Sequence, residues 1–127
     1  MGRLVRQQRL AVELIISSDA LRTRLTAQAM ADAAGCRGQI LLDPRLYHAS
    51  AAEILAVLRS AVAPNVATVL IVGHNPGLEE LVARLTGERE GLPTAALAQI
   101  ALPIDRWPDL TASTRGTLVG LWRPKEL

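Results

Sequence analysis

The chain has 127 residues, of which 50% are hydrophobic and 2% aromatic, with a formal net charge of +2 and one cysteine. This length and composition fit one domain with an aliphatic core. Scattered basic residues and few aromatic rings argue against nucleic-acid binding, and one cysteine excludes an internal disulfide and suits the cytoplasm. Because no apolar run approaches the length of a membrane span, we expect no membrane partner.

The first half of the chain alternates strand-like and helix-like segments. Residues 1–9 resemble the last turns of a helix that nothing caps, so we expect sequence to be missing upstream. Residues 11–16 predict a strand, and the helix after Ser17-Ser18-Asp19 is expected to bury Leu21, Leu25 and Ala29 on one face. Arg22 lies in the first turn of that helix, where a cation opposes the helix dipole and invites a functional explanation.

The next unit repeats this order. Glycines in residues 35–38 break the helix, residues 39–43 predict a short strand, and Ser50 with Glu53 forms a capping box that starts a second helix. Residues 68–72 then predict a buried strand, because they are continuously apolar and rich in β-branched side chains.

A third helix is expected directly after this strand. Asn75 is predicted as its N-cap, Pro76 as its first residue and Gly87 as its end. His74 would then lie at the carboxyl end of a strand, beside a helix N-terminus that favours anions, which is where open α/β sheets bind ligands. The alternative is a loop or core histidine whose hydrogen bonds are satisfied by its neighbours.

The last part of the chain changes character. Residues 95–102 predict a strand, with a helix as the alternative, residues 103–109 a loop, and residues 116–122 a final strand. The strand–helix alternation before this part predicts an α/β fold, a mostly parallel sheet covered by helices on both faces. Neither a linker nor a repeat divides the sequence, so residues 1–127 are expected to form a single domain.

Several motifs, taken together and in order, resemble those of the histidine phosphatase superfamily, and more closely its SixA-like phosphohistidine phosphatases. They are Ser-Ser-Asp-Ala-Leu-Arg-Thr-Arg-Leu-Thr at 17–26, Leu-Tyr-His-Ala at 46–49, Val-Gly-His-Asn-Pro-Gly-Leu-Glu-Glu-Leu at 72–81, and Leu-Pro-Thr-Ala-Ala-Leu-Ala at 92–98. The resemblance implies a three-layer, phosphoglycerate-mutase-like fold and a phosphatase without metal or organic cofactor. It also implies that Arg22 and His74 are catalytic-site residues that bind phosphate together with Asn75.

One motif of that family has no counterpart here. Its members begin with a strand that ends in Arg-His-Gly or Arg-His-Ala, whose histidine takes the phosphoryl group. We therefore expect the domain to be N-terminally truncated, with its first strand missing, and to be inactive as it stands. In the family this strand lies inside the sheet, so its absence predicts an apolar groove with two unpaired strand edges and a chain that is poorly soluble or oligomerises.

The implied substrate is a phosphorylated protein carrying phosphohistidine, or a small phosphorylated molecule. Larger relatives carry a carboxylate near the position of His48 to protonate the leaving group, and here only Asp43 and Glu53 are available. A labile P–N bond needs such an acid less. His48 is itself interpreted as an exposed loop residue. Two alternatives remain: a non-catalytic phosphate-binding or regulatory module, and a small-molecule phosphatase of the same superfamily.

Overall fold

The computed structural model describes residues 12–34, 40–92 and 96–122. The predictions for residues 1–9, 35–38 and 93–95 lie outside these residues. Among the described helices, none has the length and apolar character needed to cross a membrane.

Three short strands form a parallel sheet. They are β1 (Leu14–Ser17), β2 (Ile40–Leu42) and β3 (Val69–Val72), arranged in the order β2-β1-β3. Helix α1 (Leu21–Ala34) connects β1 to β2, and α2 (Ala51–Ala61) lies between β2 and β3. The predicted alternation and the α/β fold class are therefore confirmed.

The remaining elements differ in kind. Helix α3 (Gly77–Thr86) follows β3, and β4 (Leu97–Ala101) and β5 (Thr117–Trp122) pair antiparallel in a second, two-stranded sheet. The strand prediction for β4 is thus confirmed and the helix alternative is wrong. The predicted loop between β4 and β5 contains a short 3₁₀ helix, Trp107–Asp109.

Helices cover both faces of the parallel sheet. Neighbouring side chains of β1 point to opposite faces and so belong to different cores. Ile15 packs with Ala27 and Ala31 of α1. Ile16 belongs instead to a larger core that contains apolar residues of α2 and α3, including Ile54 and Leu81. The structure therefore has the three-layer arrangement expected from the sequence.

The predicted buried face of α1 is wrong. Leu21 and Leu25 are 66% and 62% exposed, and the side chains that are buried instead are those of Thr23, Ala27, Met30 and Ala31. The Thr23 hydroxyl lies 2.9 Å from the carbonyl oxygen of Ser18. This contact fixes the rotation of the first turn, so the positions four and eight residues later, which carry alanine, face the sheet.

Two of the four predicted helix-end signals are confirmed. Ser50 and Glu53 form the capping box of α2, and Gly87 ends α3 in the left-handed conformation with φ 76°. The predictions of Asn75 as N-cap and of Pro76 as the first helical residue are both wrong, because Pro76 is the N-cap, α3 begins at Gly77 and no side chain caps the helix. The amide of Asn75 is used in a long-range hydrogen bond described below.

An open groove of about 490 Å³ separates the two sheets. Residues 66–70 line it on one side and residues 97–102 on the other. The Trp107 indole N–H donates to the Val66 carbonyl at 2.7 Å. This hydrogen bond connects the loop after β4 to the segment that precedes β3. Within the described residues, β3 pairs only with β1 and β4 only with β5, so each has one unpaired edge. This arrangement agrees with the groove predicted from the sequence.

Candidate functional site

The candidate site lies where the three parallel strands end. Arg22 follows β1, His48 follows β2 and His74 follows β3. Because the carboxyl ends of parallel strands meet at one edge of a sheet, the three segments that follow the strands can contribute side chains to the same place. The first turn of α1, with Arg22, and the loops that carry His48 and His74 each bring a basic group to this edge.

His74 is held by a buried serine. Its Nε2 lies 2.9 Å from Oγ of Ser18, whose residue is fully buried. The same Ser18 oxygen accepts the Ala20 backbone N–H at 3.2 Å, as a capping oxygen does at the start of a helix. The contact at the start of α1 and the position of the His74 ring therefore depend on one hydroxyl group, that of Ser18.

The charges around His74 favour its neutral form. Burial lowers the pKa of His74, and the positive charges of His48 and Arg22 lower it further. The cationic imidazole would thus repel two neighbouring basic groups in a partly desolvated position. An anion bound among these three side chains would relieve that repulsion, so the cluster has the electrostatics of an anion site.

The aromatic rings of Tyr47 and His48 complete this side of the site. The His48 and His74 ring centroids are 5.6 Å apart, and the Tyr47 ring meets the His74 ring edge to face at 5.4 Å. His48 is an exposed loop residue as predicted, but sequence reasoning missed its contact with His74. Its position just after a parallel strand, like that of Arg22 and His74, was the available signal.

Arg22 and Asn75 occupy different situations. Arg22 is exposed in the first turn of α1, which contains no acidic residue. The Asn75 side chain donates through its amide to the Leu92 carbonyl at 2.6 Å. Arg22 is thus linked to His74 through its charge, which lowers the pKa of His74. One amide N–H of Asn75, in contrast, is already used in a hydrogen bond within the chain.

A second contact secures the same peptide segment. The Leu92 backbone N–H donates to a carboxylate oxygen of Glu79 at 3.1 Å. Asn75 and Glu79 thus hold both polar groups of Leu92, the residue that starts the Leu-Pro-Thr-Ala motif. The spacing within the His-Asn-Pro-Gly-Leu-Glu string has a structural purpose that sequence reasoning did not identify.

Neither carboxylate considered as a proton donor is available for that role. Asp43 accepts hydrogen bonds from the Arg45 guanidinium, the closest at 2.7 Å, and this partner lowers the pKa of Asp43. Glu53 accepts the Ser50 backbone N–H in the capping box, which lowers its pKa as well. Both groups therefore stay ionised near neutral pH. Across residues 12–34, 40–92 and 96–122, no three His, Cys, Asp or Glu side chains group together as metal ligands.

The sequence and the structure were each compared with known proteins. No protein-family model matches the sequence. An uncharacterised chloroplastic protein of Arabidopsis thaliana is 29% identical over an alignment of 108 positions, which covers 79% of this chain and 50% of that protein. The chain therefore spans about half the length of this curated relative.

Two solved structures resemble the whole described chain. A protein assigned as phosphohistidine phosphatase SixA from Nakamurella multipartitia matches with a TM-score of 0.83 and 26% identity, covering 97% of this chain and 77% of its own. One assigned likewise from Agrobacterium tumefaciens matches with a TM-score of 0.78 and 27% identity, covering 97% and 75%. Both share the α/β architecture described above.

Proposed function

We propose that this chain, a SixA-like member of the histidine phosphatase superfamily, supplies the phosphoryl-binding half of a phosphohistidine phosphatase site. The observation that carries the proposal is the convergence of Arg22 and His74 at the carboxyl edge of the sheet, where the charge of Arg22 lowers the pKa of His74. Arg22 is the phosphate clamp, His74 donates to a phosphoryl oxygen, and the second amide N–H of Asn75 is a further donor.

The chemistry of phosphoryl transfer fits these side chains. The transferred group carries negative charge on three oxygens, so catalysis rests on positioning and on donors fixed where that charge develops. A guanidinium binds two such oxygens at once. The neutral imidazole of His74 offers an N–H, and Ser18 at 2.9 Å holds the ring in place before the substrate arrives.

The nucleophile belongs to a part of the domain that the described residues do not contain. We propose that residues 1–127 are one N-terminally truncated domain, and that the missing strand lies in the groove between β3 and β4. Running parallel to β3, this strand would end at the same edge as His74 and bring a histidine to the phosphate. The phosphoryl group would pass from the substrate to this histidine nitrogen and then to water, so the chain alone binds phosphate without turnover.

The state of the carboxylates favours phosphohistidine over a phosphate ester. Asp43 and Glu53 have lowered pKa values and are engaged in local contacts, so neither is suited to protonate an alkoxide leaving group. An imidazole is a better leaving group and depends less on such an acid. A phosphorylated protein is accordingly the preferred partner, and a small phosphorylated molecule is the other candidate substrate.

Binding of inorganic phosphate by calorimetry tests the binding half of the proposal. We expect Arg22→Gln and His74→Gln each to weaken binding about tenfold, the effect of one lost charge-assisted hydrogen bond. Arg84→Gln is the matched control, because Arg84 is an exposed arginine in the last turn of α3, away from the strand ends. Equal affinities for all four proteins would contradict the assignment.

The catalytic half is tested by expressing the chain together with its in-frame upstream codons. We expect the extended protein to hydrolyse a phosphohistidine protein and to lose this activity with Arg22→Gln. If the extended protein binds phosphate but releases none from the substrate, a non-catalytic phosphate-binding module is the correct function.

A further inference from the structure

Three rings meet at the outer side of the candidate phosphate site. Tyr47 and His48 have ring centroids 4.2 Å apart at 69°, and each also lies within 6 Å of the His74 ring. The sequence contains one tyrosine and two histidines in all, so this cluster includes every residue of both types. We call the exposed pair, Tyr47 and His48, the ring rim.

The two side chains of the ring rim contribute little to the hydrophobic core of the fold. Tyr47 is 53% exposed and His48 is also exposed, so neither ring is needed to fill the core. His48 has φ 51°, a left-handed backbone conformation that is unfavourable for a non-glycine residue. An exposed residue held in an unfavourable backbone conformation beside a charged site points to a role in that site.

The backbone on both sides of the ring rim is fixed. Leu46 and Ala49 are buried, at 2% and 5% exposure, and the Ala49 N–H donates to the Leu46 carbonyl at 3.3 Å. The Ala49 carbonyl oxygen packs so closely against Gly77 that a Cβ there would overlap it. The start of α3, which follows His74, and the loop that carries the ring rim therefore keep a fixed distance from one another.

We propose that the ring rim receives the leaving group and selects substrates whose phosphoryl group is attached to a flat, unsaturated ring, such as an imidazole or a phenol, over those attached to an alkyl chain. The inference rests on the proposed function, since the phosphoryl group must sit at Arg22 and His74. Flat rings pack edge to face or offset at centroid distances of about 4.5–7 Å. The Tyr47 and His48 rings lie within this range of the His74 ring, at 5.4 and 5.6 Å.

The test compares two non-hydrolysable probes with the same charged head and the same number of carbons. Phenylphosphonate carries a flat ring and cyclohexylphosphonate a puckered, saturated one, with inorganic phosphate as the reference. We expect the chain to bind phenylphosphonate about three- to tenfold more tightly than cyclohexylphosphonate, the range for one favourable ring contact. Tyr47→Leu and His48→Gln should each reduce this preference, and Tyr47→Phe should keep it.

Val119→Ala is the control variant, because Val119 is 57% exposed on β5 and lies outside the site. It should keep both the phosphate affinity and the ring preference. If phosphate binds but the unaltered chain does not distinguish the two phosphonates, or if the preference survives both Tyr47→Leu and His48→Gln, the ring rim is overturned while the phosphate site stands. If neither phosphate nor a phosphonate binds, the proposed function fails and the ring rim fails with it.

Discussion

The carboxyl edge of the parallel sheet and the groove between the sheets are built in opposite ways. At the edge, loops distant in sequence touch directly: Ser18 bonds His74 at 2.9 Å, and Gly77 packs on Ala49. At the groove, β3 and β4 face each other across about 490 Å³ of open space. The groups proposed to bind phosphate are therefore positioned by contacts within this chain. The sheet beneath them, in contrast, is interrupted at the groove, where β3 has no neighbouring strand among the described residues.

The largest expected effect comes from disrupting the close contact between Gly77 and Ala49 at the carboxyl edge of the sheet. In Gly77→Ala, the added Cβ would overlap the backbone carbonyl oxygen of Ala49, which has no flexible end that can move away. We expect a loss of about 2 kcal/mol or more in the free energy of unfolding, comparable with overpacking a core, together with loss of phosphate binding. Urea unfolding followed by circular dichroism measures the first effect.

Gly73→Ala is the matched control for that substitution. A Cβ at Gly73 would lie 3.7 Å from a side-chain carbon of Leu78, an ordinary contact distance. Its unfolding free energy should stay within about 1 kcal/mol of the unaltered protein. Equal stabilities of the two variants would show that the contact between the two loops does not hold the edge together.

The unpaired strand edges at the groove between β3 and β4 can be tested by placing lysine on them. Unpaired edges promote association between chains, and lysine on an edge opposes it. Thr68 and Ala101 are exposed residues that line the groove. We expect the unaltered chain to associate as its concentration rises, and the double variant Thr68→Lys/Ala101→Lys to do so several-fold more weakly in sedimentation velocity.

Val119→Lys, on β5 and away from the groove, should leave this association unchanged. A sharp monomer peak with cooperative unfolding for the unaltered chain would count against unpaired edges at the groove.

Local sequence signals predicted the elements better than their orientation. The Ser50 and Glu53 capping box and the αL end at Gly87 depend on neighbouring residues, and both are confirmed. Leu21 and Leu25 were expected inside, but the contact of Thr23 with Ser18 turns the alanine side of α1 towards the sheet. Hydrophobicity alone does not reveal such a polar contact.

Long-range contacts account for what sequence reasoning missed in the site. Asparagine is a residue type favoured at helix N-caps, yet the amide of Asn75 donates a hydrogen bond to the carbonyl of Leu92, 17 residues away. His48 looks like any loop residue until the fold brings the centroid of its ring to 5.6 Å from that of the His74 ring, although β1 lies between β2 and β3 in the sheet. Arg22 and His74 were identified from their positions in a first helical turn and at the end of a strand. The family resemblance added their roles, which we propose but which no observation here tests.

The lowered pKa of His74 also predicts the direction in which the stability of the protein changes with pH. Because the native protein holds this proton less tightly than the unfolded chain, the stability that His74 contributes is fully present above its usual pKa of about 6.5. It decreases as the pH falls from there to the native pKa. A bound phosphate favours the imidazolium and should oppose this loss.

The most direct test of the central claim is a proton NMR titration of the His74 imidazole with and without saturating phosphate, in His48→Gln so that one histidine remains. We expect a midpoint below the usual imidazole pKa of about 6.5 without phosphate and a higher midpoint when phosphate is bound. Arg22→Gln should raise the phosphate-free midpoint and shrink the response. A midpoint that does not move with phosphate would contradict the account, because an anion at Arg22 and His74 must favour the cationic ring.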